Sequence, residues 1–326
     1  MVNVPNILCI GFAKCGTTTL YDIFKQHPDI YLSNIKEPLF WGRKDLEEKG
    51  FEWYLQRYYS FANKNNIMEV NPMIAKCKSA DVVKKYYGEK TKIILLLRNP
   101  IFRLYSNFKM NLVDGSSFSI IYDNISDNTS DSFDKWLQQE YVNNFDNMSF
   151  KINPRMSRSS NYFNVIEDYV NQFGIQNVKI IFFEDLILNT ETVCRELMTF
   201  IGVDYNPDIN FKIHSNDGNR IPYNICSILL LRKLLEISFY LQVNPLIRSE
   251  LYDHFINNFS WQLFNVFSIK KNTEKISNFS YDLLSYYYND LIKKLSNFLN
   301  LDLFYKWNIE KDKNLILSRI KERGQL

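Results

Sequence analysis

The sequence is nearly without net charge: across 326 residues, 39 lysines and arginines stand against 36 aspartates and glutamates, leaving +3. A general nucleic-acid binder needs a clear basic excess to neutralise phosphates, so that class is set aside, although a local anion site is not. Cysteines are few and scattered: Cys9, Cys15, Cys77, Cys194 and Cys226 are odd in number and lack metal-ligand spacing. They read as free thiols in a reducing compartment, with no metal site in view. No stretch reaches the ~20 apolar residues that span a bilayer. The most apolar segment, Ile225 to Leu241, is interrupted by Arg232, Lys233 and Glu236 and reads as a packed helix, so membrane contact is not expected. The first ten residues carry no basic cluster and their apolar run is too short for a secretory signal, which gives a cytoplasmic expectation. No internal repeat is visible.

What is abundant is core material. Hydrophobic residues make up 46% and aromatics 16%. The length permits one large domain or two small ones.

The most informative stretch lies near the start. Ile7 to Ile10 is a short apolar run that reads as a buried strand. A turn with Gly11 and Gly16 at its ends follows, and then Thr17, Thr18 and Thr19 open a helix with Leu20, Ile23, Phe24 and His27 on one side. Strand, glycine loop and helix N-terminus is a standard way to hold a phosphate, because the first N–H groups of a helix lack partners and its dipole favours an anion. Against the nucleotide-binding pattern G-x-x-x-x-G-K-[ST], Gly11, Gly16 and Thr18 fit, but Thr17 takes the lysine position and the lysine has moved back into the loop as Lys14. Such a lysine meets a group bound across the loop mouth, not the β and γ phosphates of a triphosphate. Cys15, inside the loop, reads as a small filler.

Further along, Ile30 to Leu32, Ile67 to Val70, Lys92 to Leu97 and Val178 to Phe183 read as strands, the third with the continuous apolar character of a parallel sheet buried on both faces. Helices are predicted over Phe51–Tyr59, over Ser79–Tyr87 with Val82, Val83 and Tyr86 inward, over Phe133–Phe145, over Tyr162–Phe173, and over Thr190–Ile201 with Val193, Leu197, Met198 and Ile201 inward. Glu37 precedes Pro38, so an extended backbone is expected there; held among Phe40 and Trp41, its carboxylate is a candidate base, with a solvated loop glutamate as the plainer alternative. Arg98 follows the central strand, where open α/β sheets place ligands, and a structural arginine is the competing reading. Asn99 and Pro100 suit the N-cap and first position of a helix whose buried stripe is Leu104, Tyr105, Phe108 and Leu112, with Ser106 off that stripe. Val113 to Ser132 is a Ser/Asp/Asn-rich loop, a place for acceptor specificity. His214 to Pro222 is a turn-rich loop with one basic residue, Arg220, and the chain from Ile225 to Trp307 reads as several helices.

Taken together these residues resemble the sulfotransferases that use 3′-phosphoadenosine 5′-phosphosulfate (PAPS), and among them the carbohydrate branch near the heparan sulfate enzymes and bacterial relatives. Four places carry the resemblance: Gly11 to Thr18; His27-Pro28-Asp29 with Lys36-Glu37-Pro38-Leu39-Phe40-Trp41; Ile94 to Pro100 with Ser106; and, weakly, Asp217 to Pro222. It implies an α/β, P-loop-like three-layer fold with a central parallel sheet flanked by helices. It also implies a single sulfotransferase domain over residues 1–326, mainly helical from about residue 225. Its implied catalytic residues are Lys14 and Glu37. Lys14, Cys15, Gly16, Thr17, Thr18 and Thr19 would hold the 5′ phosphosulfate, Arg98 and Ser106 the 3′ phosphate, and Arg220 would come from the covering loop. PAPS would be the co-substrate without a metal, and the acceptor a carbohydrate or glycolipid. There are departures: Glu69-Val70-Asn71-Pro72 stands where the heparan sulfate enzymes have Glu-Lys-Thr-Pro, and Leu39 replaces a histidine two residues past the glutamate. A P-loop kinase or NTPase, and a non-catalytic module binding nucleotide or sulfated glycan, are the alternatives.

Overall fold

Five short apolar runs become five parallel strands. In the computed structural model, which describes residues 3–114, 133–138, 162–213, 220–222, 268–270 and 275–322 with Lys233, Ile237 and Tyr240, they are β1 (Ile7–Gly11), β2 (Ile30–Leu32), β3 (Asn66–Val70), β4 (Lys92–Leu97) and β5 (Val178–Phe182). Their order in the sheet is β2-β3-β1-β4-β5, with Cys9 opposite Val70 on one side of β1 and opposite Ile94 on the other. The continuous apolar run of β4 has its reason here: Ile93, Ile94, Leu95, Leu96 and Leu97 are all fully buried, as a strand covered on both faces must be. Burying each such side chain contributes about 1.5–3 kcal/mol, which fixes this strand in the middle of the core.

The chain divides into two compact units. The first, Met1–Arg98 with Val165–Asp217 and Tyr223–Ser268, holds the sheet, together with α1 (Thr17–Phe24), α2 (Lys44–Glu47), α3 (Phe51–Tyr59), α4 (Met73–Cys77) and α5 (Ala80–Tyr87). The second is Asn99–Asn164 with Gly218–Pro222 and Ile269–Leu326 and begins with α6 (Pro100–Asp114); α7 (Tyr162–Phe173) runs from this unit into the first. The first unit continues with α8 (Phe183–Leu188) and α9 (Thr190–Ile201), the second with α10 (Asn278–Leu299), α11 (Leu303–Trp307) and α12 (Lys313–Glu322). Two short strands, β6 (Arg220–Pro222) and β7 (Ser268–Lys270), pair as a separate ribbon.

Helix faces differ from expectation in two places. On α5 the inward residues are Ala80, Val83 and Tyr87, while Val82 is half-buried and Tyr86 exposed. Tyr87 turns in because its hydroxyl donates to buried Glu69 at 2.8 Å. On α9 the buried stripe is Cys194, Leu197, Met198 and Ile201, an i, i+3, i+4, i+7 set that leaves Val193 half-buried. Gly202 ends α9 at φ +79°, its N–H and that of Val203 both reaching the Met198 carbonyl, at 2.9 and 3.0 Å. The predicted helix over 133–145 is helical at 133–138, and its remainder, most of 113–132, His214–Asn219 and nearly all of 225–267 lie outside the described residues. Among the described residues no helix is long and apolar enough to cross a membrane.

In the second unit Asn99 caps α6 as predicted. Its Oδ1 accepts from the Ile101 N–H at 3.0 Å, and its Nδ2 donates to the Trp307 carbonyl at 3.1 Å, with the side chain 2% exposed. One buried amide thus starts α6 and closes the end of α11. Asn99→Ala strands both partners, so it should lower the unfolding free energy by about 2 kcal/mol, read as a lower urea midpoint with an unchanged slope.

Candidate active site

The sheet order sets the location. From β1 the chain goes to β2 and β3 on one side, then returns to β4 and β5 on the other, so the carboxyl ends of β1 and β4 flank the switch in direction. Open parallel sheets bind ligands at that crevice. The glycine loop leaves β1 there, and Arg98 leaves β4 there.

The loop is tightly determined. Phe12 N–H donates to the Leu96 carbonyl at 2.8 Å, tying the loop to β4, and Cys15 N–H donates to the Phe12 carbonyl at 3.2 Å. Lys14 sits at φ +67°, where non-glycine residues are uncommon. Gly16 follows at φ +91° as the N-cap of α1, and the first helical bond runs from Leu20 N–H to the Gly16 carbonyl at 3.1 Å. Thr17, Thr18 and Thr19 therefore place their N–H groups ahead of any acceptor within the helix, at the positive end of its dipole, and no acidic side chain occupies that turn. Thr17 and Thr19 are buried and Thr18 half-buried. Cys15 is fully buried, with its sulfur 3.8 Å from the Ala13 carbonyl: a packing group whose own N–H is spent inside the loop.

Arg98, half-buried, donates from Nη1 to the Lys14 carbonyl at 3.0 Å, and its guanidinium lies 4.3 Å from the centre of the Phe183 ring. That same ring sits under Gly16, where an added Cβ would come within 2.9 Å of Phe183 Cδ2 and 3.2 Å of Leu186 Cδ2. Phe183, the first residue of α8, is thus a plate beneath both the arginine and the helix start. Gly16→Ala meets both the wrong φ and this plate. It should cost about 2 kcal/mol or more in a melt, while Gly202→Ala, with open space around it, should lose only the φ term of about 1 kcal/mol.

The Glu37 turn lies at the same end of the sheet. Glu37 is not extended: it stands at φ +57°. A following proline removes the right-handed helical region but does not choose among what remains. Tertiary bonds choose here, with Glu37 N–H donating to the Val70 carbonyl at 3.3 Å and the Pro38 carbonyl accepting from Asn71 Nδ2 at 3.1 Å. The Glu37 carboxylate pairs with the Lys36 ammonium, and its side chain remains 42% exposed. Burial pushes the Cys9 thiol on β1 up to about 12; the Lys36 charge lowers it, and Glu37 and Cys15 raise it, so the turn and the loop both act on the end of β1.

Behind the turn, Glu69 on β3 is 1% exposed and accepts from Tyr54 Oη at 2.5 Å, Tyr87 Oη at 2.8 Å and Asn71 Nδ2 at 3.2 Å. Burial pushes its carboxyl up from the usual range, and these three donors pull it back. Trp41 Nε1 donates to Tyr87 Oη at 3.0 Å, so the cage reaches the far end of the Glu37 segment.

Of the residues singled out in the sequence, Lys14, Cys15, Gly16, Thr17, Thr18, Thr19, Glu37 and Arg98 all stand in the first unit, on the loop, helix start and turn at this end of the sheet. Ser106 is half-buried on α6 in the second unit, and Arg220 stands on β6 with its side chain outside the described residues. Phe183, Glu69 and Asn71 carry no site role in the sequence reading: Glu69 and Asn71 enter it only within the segment that departs from Glu-Lys-Thr-Pro, and Phe183 only as a strand's last residue. Among the described residues no three His, Cys, Asp or Glu side chains gather into a metal-holding group.

The profile of the family described as "Sulfotransferase domain" matches residues 4–216, more than half of the chain. Human carbohydrate sulfotransferase 15 is 51% identical over 41 residues, 13% of this chain and 7% of its own length. The bifunctional heparan sulfate N-deacetylase/N-sulfotransferase 1 of Caenorhabditis briggsae is 24% identical over 225 residues, 65% of this chain and 24% of its own length. The chain thus spans less than a third of these relatives. A crystal structure of a sulfotransferase from Alicyclobacillus acidocaldarius superposes with TM-score 0.56 at 17% identity, covering 94% of this chain and all of the other, and so shares the fold. With its parallel sheet, its glycine loop and this match, the chain belongs to the sulfotransferase domain family.

Proposed function

We propose that the protein transfers a sulfuryl group from PAPS to a hydroxyl or amine of a carbohydrate or glycolipid acceptor. The observation that carries this reading is the bond from Arg98 to the Lys14 carbonyl, which joins a phosphate-matching guanidinium to the anion loop across the switch point. A second observation supports it. Among the described residues four non-glycine residues have positive φ; two are asparagines, which tolerate it, and the others are Lys14 and Glu37. Backbone held in such regions clusters at working sites.

In the reaction, the sulfur–oxygen bond to the 5′ phosphate breaks as a bond from sulfur to the acceptor atom forms, and the acceptor's proton passes to the Glu37 carboxylate. Lys14 neutralises the bridging oxygen as it leaves. The N–H groups of Gly16, Thr17 and Thr18 hold the 5′ phosphate, and Arg98 takes the 3′ phosphate. Cys15 and Thr19 serve as the loop's packed flanks. Ser106 and Arg220 enter on the family resemblance alone, as does the joining of both units in one sulfotransferase domain. A cytoplasmic setting is part of the reading, supported by Cys9, Cys15, Cys77 and Cys194 being free thiols. For the acceptor class, the named relatives and the resemblance are the support. A P-loop NTPase is disfavoured by Thr17 in the lysine position.

Labelled PAPS incubated with a panel of unsulfated glycans and glycolipids, with products read by mass, tests the proposal; binding of ATP with magnesium in preference to adenosine 3′,5′-bisphosphate (PAP) overturns it. Lys14→Ala should lower kcat by about 10²-fold or more, the scale of losing one transition-state donor. Arg98→Ala should weaken PAP binding by roughly 2–4 kcal/mol in calorimetry.

A further inference from the structure

Both sides of Glu37 are fastened by two consecutive residues at the end of β3. The Val70 carbonyl takes the Glu37 N–H, and the Asn71 side chain gives a hydrogen to the carbonyl of Pro38. Asn71 is 1% exposed, and each of its polar groups is used. Nδ2 donates to Pro38 O at 3.1 Å and to Glu69 Oε1 at 3.2 Å, and Oδ1 accepts from Met73 N–H at 3.2 Å. Its backbone N–H donates to the Cys9 carbonyl at 2.9 Å, and its carbonyl accepts from Ile74 N–H at 3.1 Å. Two donors on one nitrogen and one acceptor beside it describe a carboxamide. An aspartate would set a carboxylate against Glu69 and the Pro38 carbonyl, and an apolar residue would take this partner from the Pro38 carbonyl and the Met73 N–H and one of three donors from Glu69.

Glu69 explains why this amide faces one way. An ionised carboxylate only accepts, and Tyr54, Tyr87 and Asn71 supply three donors to it inside a shell of rings, with Phe40 4.8 Å from both Trp41 and Tyr54. Reversing the Asn71 amide would turn an oxygen toward both Glu69 and Pro38. Glu69 therefore locks Asn71, and Asn71 holds the Pro38 carbonyl.

We propose that Asn71 is a positioning residue: oriented by the caged Glu69 carboxylate, it holds the Glu37–Pro38 turn in its positive-φ form and so aims the Glu37 carboxylate at the acceptor. This rests on the reading of Glu37 as the base. Asn71 itself touches no substrate in this scheme, and Tyr87, on the opposite oxygen of Glu69, belongs to the cage but makes no bond to residues 37 or 38.

The experiment compares wild type, Asn71→Ala, Tyr87→Phe, Glu37→Gln and the Asn71→Ala/Glu37→Gln double variant. Hydrogen exchange of the PAP-bound full chain, read on peptides covering residues 35–41 and 12–20, requires no acceptor. Transfer of label from PAPS is scored over the pooled unsulfated glycans. Expected for Asn71→Ala are exchange about tenfold faster at 35–41 and unchanged at 12–20, kcat lower by about 10–100-fold, and a PAP Kd within about threefold of wild type. Tyr87→Phe removes a donor to Glu69 and the acceptor of the Trp41 indole, so it should lower the melting midpoint and touch exchange only at the residue 41 end, leaving residues 36–38 and kcat near wild type. The double variant should be no slower than Glu37→Gln, since both changes remove one function. Wild-type exchange at 35–41 in Asn71→Ala overturns the positioning role and leaves Glu37 as base untouched. Equal losses in Asn71→Ala and Tyr87→Phe reduce the network to plain stability and overturn it too. Full transfer by Glu37→Gln overturns the base assignment and this inference together.

Discussion

A guanidinium at the end of one strand holds the carbonyl of a lysine in the loop that leaves its neighbour. That bond, Arg98 to Lys14, is the constraint around which the first unit is arranged. β4 is buried along its apolar length, so the point where Arg98 emerges does not drift. Phe12 N–H on Leu96 ties the loop back to the same strand. Phe183 then carries the guanidinium on its face and leaves no room for a side chain at Gly16, so one ring sets the heights of the arginine and of the helix start. With these fixed, the opening turn of α1 and a guanidinium stand at the same end of the sheet, a preorganised arrangement for an anion.

Much of this was legible in the residues. All five strands were visible as apolar runs, because a parallel sheet covered on both faces demands them, and glycine-loop spacing located the helix start. Arg98 was visible as a candidate because it follows the central strand, where open sheets place ligands, although a structural arginine fitted the same position. The conformation of Glu37 was not, since a local rule about proline speaks only to what is excluded, while bonds from Val70 and Asn71 come from a segment more than thirty residues away. Nor were Phe183 and Asn71 legible as parts of the site. A phenylalanine after a strand and an asparagine before a proline each have an adequate local meaning, and their second role exists only once β3 and β5 are placed around β1 and β4. Tyr87 in place of Tyr86 has the same origin: periodicity gives a helix face to within a residue, and a hydrogen bond to a buried carboxylate decides the rest.

The buried carboxylate is the costly element in this arrangement, and the cost indicates what it does. Glu69 is taken fully out of water, which an apolar residue of similar size would tolerate at no penalty, and three donors offset the loss. A network of this kind is weak support for stability by itself, but it is rigid, since each member has one orientation that satisfies the others. The rings of Phe40, Trp41, Phe51 and Tyr54 pack against one another beside it, at centroid distances of 4.8 to 6.0 Å. Rigidity delivered to residues 37 and 38 is the consequence.

The departures from the heparan sulfate pattern fit the same geometry. Where that pattern has a lysine after the glutamate of the Glu-Lys-Thr-Pro segment, this chain has Val70, 2% exposed, where an ammonium would be taken out of water. The cation beside Glu37 is its own neighbour, Lys36, whose side chain is 14% exposed and pairs with the carboxylate directly. With an apolar side chain at position 70, the end of β3 acts on the turn through hydrogen bonds, Val70 by its carbonyl and Asn71 by its amide. Charge and proposed base thus stand on one short segment whose shape that clamp decides.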